Sequence, residues 1–429
     1  MKAHVGYDES VDILVAMVRD VLGADAFTRG VVLREAGGKL AFFSHVPLSD
    51  AQRGKLGPLL VQRLGQYART DRVLAARGDV GAAPILDATQ VQWIEAHGMT
   101  VRYLDRRIVG ADWLEGPDLS VPSVPRVVFA SLKGGVGRTT ALCVAAAELA
   151  RQGRNVLAVD LDLEAAGLGT MLLPQDAGQR PRYGVLDYLV ELSVSGEVDP
   201  ICEDMKAASS LDVGHSGRVD VVPAYGTMTR PEHYLGKLSR AMLDTGPDGE
   251  PLPVRSKVAR MVDALAPDSY DVVLLDARAG LAELTAGPLL ALSATLLLFS
   301  TAQQQSIEDM RLLLAHLHTL IRPGQESPWQ TLQCILAKAT PNSGRNAWFI
   351  DEVYKLFQDH VYEAQEGLEG FNFHPDDRDA PHYPVPIAFN PLFADWDPSR
   401  SADDLTQPFY ENSFRPFLDA IVRRLDRPG

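Results

Sequence analysis

RVVFASLKGGVGRTTALCVAAAELA, running from Arg126 to Ala150, decides the fold. Arg126–Ser131 has the apolar run of a buried strand, Gly134, Gly135 and Gly137 form a turn, and the alanine-rich stretch after Thr140 suits a helix. In that order the glycines let successive backbone N–H groups turn inward around phosphate oxygens at the positive end of a helix. Thr139 is then placed to offer its hydroxyl to Mg²⁺. The segment departs twice from the strict phosphate-loop pattern GxxxxGK[ST]. Leu132 stands where the first glycine would, and Arg138 replaces the lysine.

Working outward, further apolar, β-rich runs follow at Val156 to Asp160, Val219 to Pro223, Val272 to Asp276, Thr295 to Ser300, Leu332 to Leu336 and Val385 to Phe389. Helical patterns lie between most of them. Strand and helix alternating in this way predict an α/β fold, a doubly wound and mostly parallel sheet that binds ligands beyond the carboxyl ends of its strands. Upstream, EGPDLSVPSVP from Glu115 to Pro125 has the proline and glycine content of a linker. Before it, Glu9 to Leu22 and Ser49 to Tyr67 have helical spacing, whereas Val31 to Arg34, Leu40 to Ser44 and Thr100 to Leu104 look like strands. The expected division is a small α+β domain at 1–114, a linker at 115–125 and the nucleotide-binding domain at 126–429.

The chain has 429 residues, of which 46% are hydrophobic and 23% charged, enough for two or three cores. Its formal net charge is -15 and its pI about 5.1, so nucleic acid and anionic membranes should repel it unless a local basic patch intervenes. Residues 1–120 carry 14 Lys and Arg against 15 Asp and Glu, which leaves 27 against 41 for the rest from totals of 41 and 56. The acidity therefore belongs to the second region. Cys143, Cys202 and Cys334 lie far apart, with no disulfide framework and no CxxC pair. The start MKAHVGYDES has no signal-peptide pattern, and Pro288 to Ser300 is too short to span a bilayer. A cytoplasmic location is expected.

KGGVGRTT, Lys133 to Thr140, differs by one residue from the KGGVGKTT that marks the MinD, ParA and nitrogenase-iron-protein class of ATPases, and the chain resembles that deviant Walker-A class. It resembles in particular the KGGVGR variants associated with multi-gene defence loci in bacteria. Two further segments match in the right order, VLAVDLDLEAAGLG with Asp160 and Asp162, and YDVVLLDARAGL with Asp276 and Gly280. The resemblance implies ATP and Mg²⁺ as ligands. Gly134, Gly135, Val136, Gly137, Arg138, Thr139 and Thr140 would hold phosphates, with Gly280 near the γ-phosphate. Thr139, Asp162 and Asp276 would hold the metal or its water shell, and Asp162 the attacking water. Lys133 would reach across a two-fold axis to the partner's ATP, making an ATP-dependent homodimer. Arg278, in DARAG where DTPPG is frequent, would act as an arginine finger or form a structural ion pair. Ala337 and Lys338 stand where relatives often carry an asparagine that reads the base, and HYPVPIAFNPLF (His382 to Phe393) would offer backbone contacts to the base around Val385 and Pro386.

Weaker signals have plainer readings beside them. HPDDRDAPH, with His374, Asp376, Asp377, Asp379 and His382, could bind a metal but reads as a solvated loop. Phe414, Phe417, Leu418, Ile421, Val422 and Leu425 share one helical face, as in the membrane-targeting helix of MinD, though most such helices pack on their own domain. Arg53, Lys55, Arg63, Arg69, Arg72 and Arg77, and later Arg102, Arg106 and Arg107, form the one plausible nucleic-acid footprint. Trp113 could help to dock this domain.

The expected function is a slowly hydrolysing ATP switch that dimerises and controls a protein partner encoded nearby, in a bacterial defence system. Arg keeps the charge of the missing lysine but is bulkier, so binding should survive more readily than fast hydrolysis. The alternatives are a non-hydrolysing pseudo-ATPase assembly subunit and a ParA-like DNA-partitioning factor. An iron–sulfur carrier is disfavoured by the lack of paired cysteines.

Overall fold

The structure is a computed structural model that describes residues 5–211, 217–266, 269–325, 327–363, 371–393, 396 and 408–426. It has two compact units, the described residues of Met1–Gly116 with His316–Glu326, and those of Pro117–Ala315 with Ser327–Gly429.

In the first unit, strands β1 (Val31–Arg34), β2 (Leu40–Ser44), β3 (Leu74–Ala76), β4 (Gln92–Ala96) and β5 (Met99–Asp105) form one sheet in the order β3-β2-β1-β5-β4. β1 runs antiparallel to β2 and parallel to β5. Alternation along β1 divides the core. Val32 faces the helices Tyr7–Leu22 and Asp50–Leu64, whose Leu14, Val15, Val18, Leu56 and Leu60 are buried with it, while Val31 and Leu33 join Phe43, Ile85 and Leu86 on the other face. The second helix starts at a reciprocal cap, because the Ser49 hydroxyl accepts from Gln52 N and the Gln52 side chain accepts from Ser49 N. Both expected helices and all three expected strands are present. β3 and β4 are additional.

The second unit holds β6 (Arg126–Ser131), β7 (Asn155–Asp160), β8 (Ala207–Ala208), β9 (Arg218–Val222), β10 (Val272–Ala279), β11 (Thr295–Ser300), β12 (Gln333–Ala339) and β13 (Val385–Ala388). Their order is β13-β12-β11-β6-β10-β7-β9-β8, parallel throughout except for β8 against β9. β7, β9 and β10 lie to one side of β6 and β11, β12 and β13 to the other, so the winding reverses at β6. A crevice opens at such a switch point, at the carboxyl ends of the strands. All seven runs expected as parallel strands occupy this sheet.

The helix Arg138–Arg151 packs on the sheet through Ala141, Val144, Ala145 and Ala147, whose small side chains admit close approach, and it is buried almost all round. The helix Pro408–Leu425 explains part of that burial. Its Phe414, Phe417, Leu418 and Ile421 are buried in the same core, and the Phe417 ring meets Phe129 and Phe299 edge-on at 6.1 and 5.9 Å. The face compared above with a membrane-targeting helix is thus covered by the domain itself. Among the described residues no helix is long and apolar enough to cross a membrane.

Candidate functional site

After β6 the chain turns through Gly135 (φ +70°) and Gly137 (φ +90°) before the helix starts at Arg138. A β-carbon at either glycine would meet nothing within 4 Å, so the left-handed backbone, not lack of space, requires glycine there. Gly137 is the N-cap, and the N–H groups of the first turn lie at the positive end of the helix. Gly280 (φ +90°) closes the base of the loop by donating its N–H to Ser131 O at 3.0 Å.

Asp276, on β10, pairs in register with Asp160 at the end of β7, and the turn after β7 brings Asp162 alongside. Arg138 binds this group with three nitrogens. Nε donates to Asp276 Oδ1 at 2.8 Å, Nη2 to Asp162 Oδ2 at 2.9 Å and Nη1 to Ser131 Oγ at 2.8 Å. Thr139 Oγ1 donates to the other Asp276 oxygen at 2.6 Å. The Arg138 guanidinium is buried, as are all three carboxylates. Burial raises the Asp276 carboxyl above its usual range, against the opposing pull of Arg138 and the Thr139 hydroxyl. Asp160, buried and beside the Asp276 charge, is raised well above that range although the N–H groups of Asp162 and Leu168 donate to it. Expected above as a phosphate ligand, the Arg138 side chain instead clamps the two carboxylates expected to organise the metal. The cause is geometric: a planar fork next to two convergent carboxylates and a hydroxyl finds its acceptors there.

A cavity of about 360 Å³ opens beside the loop. Ser131, Lys133, Gly135, Val136, Gly137, Arg138, Thr139 and Thr140 line one wall, and Ile387, Ala388, Phe389, Asn390 and Phe393 another. Val385 and Pro386 pair with Ile335 and Leu336 on the edge strand β13, and the cavity lining takes up the segment from Ile387 onward. Phe414 and Lys338 also line the cavity, the first hidden among core-facing aromatics and the second visible only as a mismatch to asparagine.

Lys133 is half-buried, its Nζ 3.4 Å from Gln303 Oε1. Gly134 is exposed. Arg278 is ion-paired with Glu164. This pair is partly exposed and so contributes about 0–1 kcal/mol. Arg278→Ala should therefore lower the unfolding free energy by less than about 1 kcal/mol in a urea titration, leaving any change in nucleotide turnover attributable to chemistry and not to unfolding.

The remaining signals find structural partners. His382 is buried, its Nδ1 against Tyr362 Oη at 2.7 Å and its Nε2 against Pro375 O at 3.1 Å, within a loop that starts at His374. The arginines of the first unit are largely engaged within it. Arg53 pairs with Asp79, Arg69 with Glu35 and Asp71, Arg77 with Asp87, Arg106 with Glu35 and Arg107 with Asp105, while Arg72 and Arg102 donate to backbone carbonyls. Lys55 and Arg63 remain exposed. Trp113 is buried, edge-on to His316 at 5.7 Å.

Residues 125–327 match the family described as AAA domain. An arsenical pump-driving ATPase of Escherichia coli is 26% identical over 149 residues, which are 30% of this chain and 24% of that protein. The span matched to the AAA domain family holds the phosphate loop, Asp162 and Asp276. An uncharacterized protein of Pseudomonas putida is 32% identical to this chain over 165 residues, 38% of this chain and 51% of that protein. The chain thus spans about half the length of the Pseudomonas relative and about a quarter of the arsenical pump ATPase. A solved structure of pNOB8 ParA bound to nonspecific DNA aligns with a TM-score of 0.45 at 20% identity, covering 71% of this chain and 100% of that one. Within the matched span, Thr139, Asp162 and Asp276 are brought together with Arg138, and Gly135 and Gly137 lie beside the cavity.

Proposed function

We propose that the protein is a nucleotide-dependent regulator in which ATP and Mg²⁺ bind at the phosphate loop, two chains pair through Lys133, and hydrolysis held slow by Arg138 resets the pair. The observation that carries this reading is the clamp of Arg138 on Asp162 and Asp276, directly behind a phosphate loop that fronts a cavity of about 360 Å³.

The residues fit the ligands. Thr139 and the two aspartates are hard oxygen donors suited to Mg²⁺ or its water shell, and the loop glycines adopt the backbone that an anion cradle needs. Mg²⁺, held by Thr139, Asp276 and Asp162, would supply positive charge to offset the phosphates. Arg138 now neutralises the same carboxylates, so the site is held closed by an internal cation. Asp162 could orient water only after releasing Arg138, and Arg278 would need to leave Glu164 to serve as an arginine finger.

The same clamp also favours a second reading, a pseudo-ATPase that binds nucleotide and serves as an assembly subunit. The first unit would transmit the nucleotide state to a protein encoded nearby, and a defence role rests on the KGGVGR resemblance. A DNA-partitioning role receives less support, since the arginines that would contact phosphate are mostly paired to acids.

The test is light-scattering mass with ATP–Mg²⁺, ADP and no nucleotide, for wild type and Lys133→Ala, with phosphate release read in parallel. The switch predicts an ATP-specific dimer that the variant loses, together with slow release. An ATP-bound chain of unchanged mass that releases no phosphate would move the conclusion to the assembly subunit.

A further inference from the structure

We propose that Lys338 is a polyphosphate-binding residue of this site, adding at the cavity a cation beside Arg138, whose guanidinium is held by Asp276 and Asp162. The proposal rests on the nucleotide-binding reading above and adds to it a ligand that the asparagine of similar proteins could not supply. Four observations converge on this lysine.

First, the pairing of β12 with β13 slips at this point. Leu336 pairs with Pro386 and Ala339 with Ala388, so three residues of β12 advance against two of β13. Such a bulge re-aims side chains at the end of a strand. Second, Lys338 has φ +53°, a left-handed conformation that side-chain-bearing residues adopt rarely and that clusters at ligand sites. Third, the bulged lysine reaches the phosphate loop, where Nζ donates to Gly135 O at 2.6 Å, and it lines the cavity on which that loop opens. Fourth, Arg138 has its Nε and both terminal nitrogens on Asp276, Asp162 and Ser131. Arg138 lines the cavity together with Lys133 and Lys338, so the cations there whose nitrogens are not held by carboxylates are the two lysines.

An ammonium has three donors, and Gly135 O accepts one of them. The other two are available to phosphate oxygens cradled by the adjoining loop. Lys338 is exposed at its strand end, so an ion arriving there need not displace a buried partner. The ligand class is a nucleoside di- or triphosphate, whose phosphate chain can meet both the loop N–H groups and this cation.

A rival role, bracing the loop through Gly135 alone, separates from phosphate binding in two substitutions. Lys338→Gln keeps a donor for Gly135 O and removes the charge, whereas Lys338→Arg keeps the charge. With a fluorescent ATP analogue as probe, Kd measured directly and by ADP and pyrophosphate displacement is expected to rise about tenfold or more in Lys338→Gln and to change by less than about threefold in Lys338→Arg. Pyrophosphate should lose its power to displace the probe from Lys338→Gln at concentrations that clear the wild type. Thermal melts without nucleotide should coincide for the three proteins. A wild type that binds the probe together with a Lys338→Gln protein of equal affinity would overturn the assignment while leaving the nucleotide site intact. A wild type that binds no probe would overturn the site reading itself.

Discussion

Asp276→Ala is expected to lower the unfolding free energy of the second unit by about 3 kcal/mol. The Asp276 side chain is 1% exposed, accepts from Arg138 Nε and Thr139 Oγ1, and shares Arg138 with Asp162. Removing one partner of a buried ion pair leaves the other charge uncompensated, at a typical cost of about 3–5 kcal/mol. The lower end applies here because Asp162 still faces the guanidinium and because losing the Asp276 charge relieves Asp160, whose carboxyl that charge helps to raise. Asp276→Asn keeps an oxygen for Arg138 Nε and should cost about half as much. Urea titrations of the three proteins check both values. A loss below about 1 kcal/mol for the alanine variant would mean that the clamp contributes nothing net.

Arg138→Lys is expected to raise phosphate release at least about tenfold, equivalent to about 1.4 kcal/mol off the barrier. The substitution restores KGGVGKTT and replaces a planar fork that engages three acceptors with a single ammonium on a flexible stem. Such a group cannot hold Asp276, Asp162 and Ser131 at once, so both carboxylates become free to organise metal and water. Steady-state phosphate release by the two proteins at saturating ATP and Mg²⁺ is the measurement. Release that is unchanged or slower in Arg138→Lys would show that the arginine is not the brake.

The central parallel strands β6, β7 and β10 were legible in the sequence because they are buried on both faces and therefore read as apolar runs up to Ser131, Asp160 and Asp276. The phosphate loop was legible because backbone conformation demands its glycines at fixed positions. β3, β4 and β8 were not, since three residues such as Leu74–Ala76 are too few to show a period, and β4 alternates weakly at the edge of its sheet. The segment His316–Glu326 belongs to the first unit although almost 200 residues separate it from Gly116, a tertiary placement that local pattern does not encode.

The candidate site followed the same division. Residue types and order pointed to Thr139, Asp162 and Asp276, and the structure brings them together. What escaped was direction. Arg138 keeps the place of the lysine but turns towards carboxylates that lie 24 and 138 residues downstream. Lys338 faces the loop because one extra residue enters β12, and the second wall of the cavity begins at Ile387, within β13. Each depends on strand register, which a one-residue shift reverses.

The most direct test of the account is an isothermal titration of the whole chain with ATP in the presence of Mg²⁺, with Gly137→Val as the variant whose phosphate loop cannot take up its left-handed turn. The account predicts saturable one-site binding by the wild type, with Kd on the order of micromolar, and its loss in the variant. Absence of a binding isotherm in the wild type up to millimolar ATP, or equal binding by both proteins, would contradict it.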